Sequence, residues 1–369
     1  MSKPSTNRKV LAYLIGSLGD TIVAIPALRA LRRQYSDAEI VLLQNIAGGN
    51  VVQAAEVVPS ELVDRHLSYR SSLSGFDQLR EYASLWYRLR RERFDTAAYL
   101  VISERPEVSV KRDRRFFRSC GIKELLGFHS FSREVLYPTD AAGRPDAVDH
   151  EAIRKLKRLE QDGFQSSPES LLSPLLEISD ESSTNGANWL RRNRSKPERP
   201  LLAIAPGCKT QANAWPIENF IEIARRAQNG FEVLIVGGKS ERELAEQIIA
   251  ESGGGINAAG IFSVAESSAL LAKCDFYFGV DTGTTHLAAA VGTRCFVVMH
   301  ERNNPGQWFP LGDGHSVVRH EVPCAGCRQP VCPVAGHPCM TGISAETAWR
   351  EFQTFVRSPV ASATSVIEA

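Results

Sequence analysis

VLAYLIGSLGDTIVAIPALRALRR, residues 10–33, decides the fold. Residues 10–15 are an unbroken short apolar run, the signature of a strand covered on both faces. A turn from Gly16 to Gly19 follows. Residues 21–33 then repeat apolar side chains with helical period, at Ile22, Ile25, Leu28 and Leu31. Pro26 lies inside that pattern and is expected to bend the helix. Strand, glycine turn and amphipathic helix in this order begin a parallel α/β sheet.

The pattern recurs outward from there. Residues 39–43 and 96–102 read as strands and residues 77–93 and 150–161 as helices, which gives an amino-terminal α/β domain over residues 1–180. Residues 181–200 are polar and carry two prolines, as an interdomain linker would. A second series spans residues 201–344. Its strands are 201–205, running into Pro206-Gly207, then 231–236, ending at Gly237-Gly238, then 276–280 and 295–299. Its helices are 216–227, one opened by a Ser240/Glu243 capping box, one opened by Ser263/Glu266, and a short one reaching Ala290. A last helix, residues 345–356, sits in a terminal segment over 345–369. The 369 residues suit two domains. Two parallel sheets predict ligand sites at the carboxyl ends of strands, where every glycine turn noted here falls.

Composition narrows the class. The chain is 43% hydrophobic and 23% charged, which excludes disorder and collagen. Its 43 basic and 42 acidic residues leave a net charge of +1, so nothing draws the whole molecule to nucleic acid, and any polyanion must meet a local patch. The first apolar run is too short for a signal peptide and no stretch approaches a membrane span, which places the protein in the cytosol. Eight cysteines in so long a chain are expected as thiols, metal ligands or core filler.

Four clusters carry chemistry. Gly16-Ser-Leu-Gly19-Asp20 follows the first strand and opens a helix, but it lacks the third glycine of a dinucleotide fingerprint. Asp20 has two readings: a carboxylate capping helix amides, or a base that takes a proton from an attacking hydroxyl. Asp281-Thr282-Gly283-Thr284-Thr285-His286 lies between a buried strand and a helix. It offers amides, hydroxyls and an imidazole suited to a diphosphate, or else it caps a packing helix. Lys111, Arg112, Arg114, Arg115 and Arg118 form a basic cluster. It is either a solvated face or a dock for an anionic glycolipid, which would also bring the enzyme to the inner membrane; with only Phe116 and Phe117 interleaved it gives little support to nucleic acid. Cys324, Cys327, Cys332 and Cys339, with His337 among them, have spacing compatible with a structural zinc or iron site or with free thiols.

In the order and spacing of four segments, the chain resembles glycosyltransferase family 9, the ADP-heptose:lipopolysaccharide heptosyltransferases. The segments are GSLGDTIVAIPALRALR (16–32), APGCKTQANAWPIENFIEIARRA (205–227), VLIVGGKSERELAEQI (233–248) and LAKCDFYFGVDTGTTHLAAAVGT (271–293). The resemblance implies a GT-B fold, two Rossmann-like domains whose parallel sheets face a central cleft, with the last helix crossing back to the first domain. It implies an inverting transfer that needs no cofactor, from ADP-heptose to a lipopolysaccharide core or related glycan. Asp20 matches the family's base. Glu241, Asp281, Thr282, Gly283, Thr284, Thr285 and His286 match its donor site, with Lys209 and Asn213 on an adjoining loop, and Gly19, Arg112 and Arg115 fall on the acceptor side. Two departures stand out. Asn213 occupies the place where members usually carry a lysine on the donor phosphates, for which Lys209 or Arg302 would substitute. His300 to Gly306 replaces a GPT-type turn. The same fold acting on another nucleotide sugar, or a binding module without activity, remains an alternative.

Overall fold

A computed structural model describes residues 8–46, 52–360 and 364–369. The first compact unit comprises Met1–Leu136 and Asp149–Leu172; the second comprises Tyr137–Val148 and Ser173–Ala369.

The first unit is built on a five-stranded parallel sheet of β1 (Lys9–Leu14), β2 (Glu39–Ile46), β3 (Arg65–Arg70), β4 (Thr96–Tyr99) and β5 (Glu124–Leu126), in the order β3-β2-β1-β4-β5. The second holds seven parallel strands. These are β6 (Leu201–Ala205), β7 (Glu232–Ile235), β8 (Ile256–Asn257), β9 (Phe276–Val280), β10 (Arg294–Val298), β11 (Ser316–Arg319) and β12 (Ser365–Glu368), in the order β12-β11-β10-β9-β6-β7-β8. Both orders reverse once, between β1 and β4 and between β6 and β9, which is the doubly wound Rossmann arrangement. The central strands are buried along almost their whole length, as continuous apolar runs such as LLAIA over Leu201–Ala205 predict.

Pro26 acts differently from the expectation. The chain forms one short helix, Leu18–Ile22, and restarts as Ile25–Gln34, placing Pro26 in the first turn of the second helix, where a missing N–H removes no ladder bond. The linker expected over 181–200 contains the helix Asp180–Asn193, capped by Ser179, whose hydroxyl accepts from Ser182 N–H at 3.2 Å. Gly186 lets that helix approach Ala269 on helix Val264–Leu271; a Cβ at Gly186 would lie 3.7 Å from the Ala269 Cβ. Nor is the first unit continuous in sequence. Residues 137–148 are bound into the second unit, where Val148 N–H donates to the Pro305 carbonyl at 2.8 Å and the Asn304 amide donates to the carbonyls of Pro138 (2.9 Å) and Asp146 (3.0 Å).

The terminal helix Ala345–Arg357 is part of the second unit. It buries Ala345, Ala348, Phe352 and Phe355, and Phe352 packs its ring 5.6 Å from Phe278 and 5.7 Å from Phe296. That apolar face is committed to the second core. Helix Arg242–Ser252 is opened by Glu241 rather than by a Ser240/Glu243 box, whereas the Ser263/Glu266 box forms as expected.

His315 shows how burial sets charge in this core. Its Nδ1 accepts the Cys295 N–H at 3.1 Å, and burial lowers its pKa from 6.5 to about 4. The folded value is depressed, so the neutral ring's contribution is complete above pH 6.5 and is lost as pH falls toward 4. His315→Gln should therefore flatten the acid limb of stability by about 2 kcal/mol near pH 4.5 relative to the parent. Urea unfolding between pH 7 and pH 4.5 checks this.

Candidate active site

In doubly wound sheets ligands bind beyond the strand ends where the order reverses. In the first unit that place is occupied by the turn leaving β1. Asp20 is the third residue of helix Leu18–Ile22, and its Oδ2 accepts the Ser17 N–H at 2.8 Å and the Ser17 hydroxyl at 3.3 Å. The capping geometry is thus real, and Asp20 stays partly exposed. The turn is anchored to β2, since Gly16 N–H donates to Asn45 Oδ1 at 3.0 Å and its carbonyl accepts from the Gln44 amide at 3.2 Å. Gly16 has φ +141°, and a Cβ there would lie 2.3 Å from the Asp20 carboxylate. Only glycine permits this approach.

Charge is buried at the same sheet end, which hydrophobic periodicity did not reveal. Helix Glu151–Glu160 buries Glu151, Arg154, Lys155 and Arg158. The Lys155 ammonium donates to the Leu100 carbonyl at 2.8 Å and lies 3.4 Å from Glu151. Glu151 in turn accepts from Ser103 N–H and its hydroxyl, both at 2.7 Å. Burial lowers the Lys155 pKa, while the charges of Glu151 and Asp20 work in the opposite sense. Arg154, Lys155 and Arg158 are thus buried around Glu151 on one face of this helix.

The basic cluster lies on helix Glu107–Ser119. Arg112 is tied to the buried Asp113 through Nε (3.1 Å) and Nη2 (2.8 Å), whereas Arg115 is exposed; both line an open groove with Lys111 and Val108. Gly19 belongs to the separate turn after β1.

In the second unit the loops after β6, β9 and β10 converge on Asp281. Its Oδ2 accepts from His300 Nε2 at 2.9 Å and from the Asn213 amide at 3.1 Å, and His286 Nε2 lies 3.6 Å from Oδ1. The same Asn213 amide donates to the Asp281 carbonyl at 3.0 Å. Burial alone would raise the Asp281 carboxyl, but hydrogen bonds from the two imidazoles outweigh it and hold the group well below the usual carboxylate range. His300 is therefore a site residue that spacing did not expose.

Helix Gly283–Ala290 begins at the turn. Thr282, Gly283 and Thr284 are partly exposed, and the last two lie in the first turn, where amides precede the intrahelical ladder. Thr285 is committed elsewhere: its hydroxyl donates to the Val280 carbonyl at 2.5 Å and meets Tyr277 at 2.9 Å. The Thr285 and His286 amides both turn back to the Thr282 carbonyl, at 3.1 and 3.3 Å, so neither is an open donor.

Glu241 rests against three glycines. Its Oε2 accepts the Gly238 N–H at 2.6 Å; a Cβ at Gly207 would come within 2.3 Å of its Cγ, and one at Gly237 within 2.9 Å of its Cβ. Lys209, two residues beyond Gly207, is exposed.

Cys324, Cys327, Cys332, Cys339 and His337 line a cavity of about 20 Å³, together with Glu301 and Arg302. Among the described residues, however, no group of three or more His, Cys, Asp or Glu is arranged to hold a metal ion. Cys332 Sγ bonds the Val334 carbonyl at 3.6 Å, His337 Nε2 bonds the Ala212 carbonyl at 3.2 Å, and burial raises the Cys339 thiol pKa. The zinc or iron reading of the spacing is thus unsupported among the described residues, and none of the four cysteines is in a disulfide.

Residues 83–337 match the model of glycosyltransferase family 9 (heptosyltransferase). The chain belongs to this family. It is a glycosyltransferase by that membership. Lipooligosaccharide heptosyltransferase 2 of Campylobacter jejuni is 22% identical over 363 residues, covering 95% of this chain and 99% of that protein. Among solved structures, the E. coli ADP-heptose lps heptosyltransferase II superposes with a TM-score of 0.65 at 19% identity, covering 94% of this chain and 98% of that one. A family 9 glycosyltransferase from Veillonella parvula gives 0.73 at 15% identity, with 96% and 98% covered. These likenesses identify the GT-B fold.

The glycine contacts around Glu241 supply a matched test of its packing. Gly207→Ala should destabilise the protein by about 1–3 kcal/mol, because Glu241 must move. Gly230→Ala, which meets nothing within 4 Å, should remain within about 0.5 kcal/mol of the parent. Equilibrium urea unfolding of the two variants checks the contrast.

Proposed function

We propose that the protein is an inverting heptosyltransferase that moves a heptose from ADP-heptose to the core of a lipopolysaccharide or lipooligosaccharide. The observation that supports this reading is that each unit carries a site at its own switch point: in the first a partly exposed carboxylate after β1, in the second a turn after β9 ordered around an ionised aspartate. Family membership and the names of the similar proteins supply the sugar and the acceptor class.

In the reaction, Asp20 takes the proton of an acceptor hydroxyl as that oxygen attacks the anomeric carbon. The bond from that carbon to the β-phosphate oxygen breaks on the opposite face, and ADP leaves with the electron pair. Thr282, Gly283 and Thr284 meet the growing phosphate charge with amide and hydroxyl donors, aided by the helix dipole and without a metal ion. Asp281 organises the turn rather than touching the reacting atoms. Glu241, fixed against Gly207 and Gly238, holds the nucleoside. Arg112 and Arg115 receive anionic groups of the acceptor, while the exposed basic face of their helix rests on the inner surface of the cytoplasmic membrane. No helix among the described residues is long and apolar enough to cross a membrane.

Asp20→Asn keeps the size of the side chain and removes the base. Transfer from ADP-heptose should fall by about 10²–10⁴-fold with ADP affinity unchanged. Full activity in this variant would remove Asp20 from the chemistry. Coupled detection of released ADP alongside calorimetric ADP binding makes the distinction.

A further inference from the structure

Helix Gly75–Glu92 is apolar on two opposite faces. One is committed: Leu85 and Leu89 are buried in the core of the first unit, and Tyr82 and Trp86 pack against it. The other faces water. Phe76, Leu79, Ala83 and Tyr87 recur at helical spacing on the side away from Leu85, and Phe76, Leu79 and Tyr87 are 78%, 65% and 61% exposed. A surface helix needs only its inward stripe to fold, so a lone exposed apolar residue is ordinary and an ordered row is not. Along this row the helix rises about 16 Å.

The charges are sorted as well. Glu81 accepts the Arg70 N–H at 3.0 Å, and Glu92 is paired with Lys9 at 2.9 Å and Arg65 at 2.8 Å, so residues of β1 and β3 engage both carboxylates. Arg80, Arg90 and Arg91 are exposed beside the apolar row. Helix Glu107–Ser119 is a neighbour that packs on the same core through Val110 and Phe117. The Trp86 indole donates to the Ser119 hydroxyl at 3.1 Å and Arg90 donates to the Ser119 carbonyl at 3.2 Å. That helix exposes Lys111, Arg112, Arg114, Arg115 and Arg118. Exposed residues of the two helices thus include eight cations, of which Arg112 is paired with the buried Asp113, against two carboxylates, Asp77 and Glu107. The whole chain carries a net charge of only +1, so this positive charge is local.

We propose that this face docks on an anionic phospholipid bilayer, with Phe76, Leu79 and Tyr87 inserted at the headgroup boundary and the flanking arginines on lipid phosphates. An apolar stripe bordered by cations is the composition of a helix that lies in a membrane interface: burial of the apolar side chains attaches it, and the negative surface potential draws the cations. Charge decides against a second copy of this chain as the occupant, because a two-fold contact through this face would bring the same cations together. That the protein meets a membrane rests on the transferase reading, in which the acceptor is a glycolipid; which face it uses rests on exposure and charge alone. Helix Gly75–Glu92 is then the inserted element, and the basic helix beside it adds attraction.

Flotation of the full chain with vesicles of phosphatidylcholine, with and without phosphatidylglycerol, tests this. The parent should bind the anionic vesicles and leave the neutral ones. Phe76→Ser with Leu79→Ser should lower partitioning by about 10- to 100-fold. Arg80→Gln with Arg91→Gln should lower it by about 10- to 30-fold, a difference that shrinks as salt is raised. None of these four residues is assigned to transfer, so ADP release with core oligosaccharide freed of its lipid should match the parent. Phe76→Trp reads insertion directly: its emission should shift to shorter wavelength and be quenched by brominated lipid in anionic vesicles only.

A parent protein that binds neither vesicle, serine variants that bind like the parent, or equal binding to neutral and anionic vesicles would each overturn the docking face. Transfer to the lipid-free acceptor in the same samples separates that failure from failure of the transferase reading, which would show as vesicle binding without transfer. A dimer in lipid-free solution that Leu79→Ser dissociates would give the row to a second copy and overturn the proposal too. Melting temperatures identify any variant whose loss reflects unfolding; for such a variant the quenching of Phe76→Trp carries the decision.

Discussion

The loop cluster of the second unit depends on one largely buried carboxylate. Asp281 draws together three loops that are far apart in sequence: Asn213 after β6, His286 in the helix after β9, and His300 after β10. An ionised carboxyl away from water requires several donors, and two imidazoles with an amide provide them. The cost of leaving any of them unmet fixes the positions of all three loops. Arg302, two residues beyond His300, is carried to Asn213 by that arrangement. A neutral residue at 281 would remove the reason for the loops to meet.

Much of this architecture is legible in the sequence because parallel strands buried on both faces must be apolar along their length. The runs at β1, β6 and β9 stand out for that reason, and the glycine turns mark their carboxyl ends. Strands at sheet edges carry no such signal. Arg65–Arg70 is RHLSYR, half-exposed and polar, and its pairing with β2 becomes apparent only in three dimensions. The helix Asp180–Asn193 was hidden by its composition, DESSTNGANWLRRN, in which serines and a glycine imitate a linker. Gly186 lies inside it for close packing against Ala269, not to break the chain.

The site was legible where a motif sits at a strand end and illegible where function depends on burial. Asp20, Glu241 and Asp281 follow buried strands directly. Helix Glu151–Glu160 reads as EAIRKLKRLE, and its basic residues would pass for a solvated face by composition alone; instead Lys155 and Arg158 turn inward to the carbonyls of Leu100 and Ile102 just after β4, and Arg154 to that of Leu136. Cysteine spacing left two readings open. Four thiols around a small cavity satisfy the sequence pattern of a metal site, yet Cys332 bonds the Val334 carbonyl and Cys339 belongs to the second core.

Both units solve the same problem with the same device. A carboxylate must be rigid at a loop, where backbone is least constrained, and each unit achieves this by setting it against glycine. In the first, Asp20 fills the space a side chain at Gly16 would take; in the second, Glu241 fills the space beside Gly207, Gly237 and Gly238. Glycine normally adds freedom to a turn. Here the carboxylate occupies that freedom and accepts a backbone N–H in the same turn, Ser17 for Asp20 and Gly238 for Glu241. The glycines that make these turns flexible in the unfolded chain are thus what allow them to be stiff in the folded one, because no larger residue leaves room for the acid that locks them.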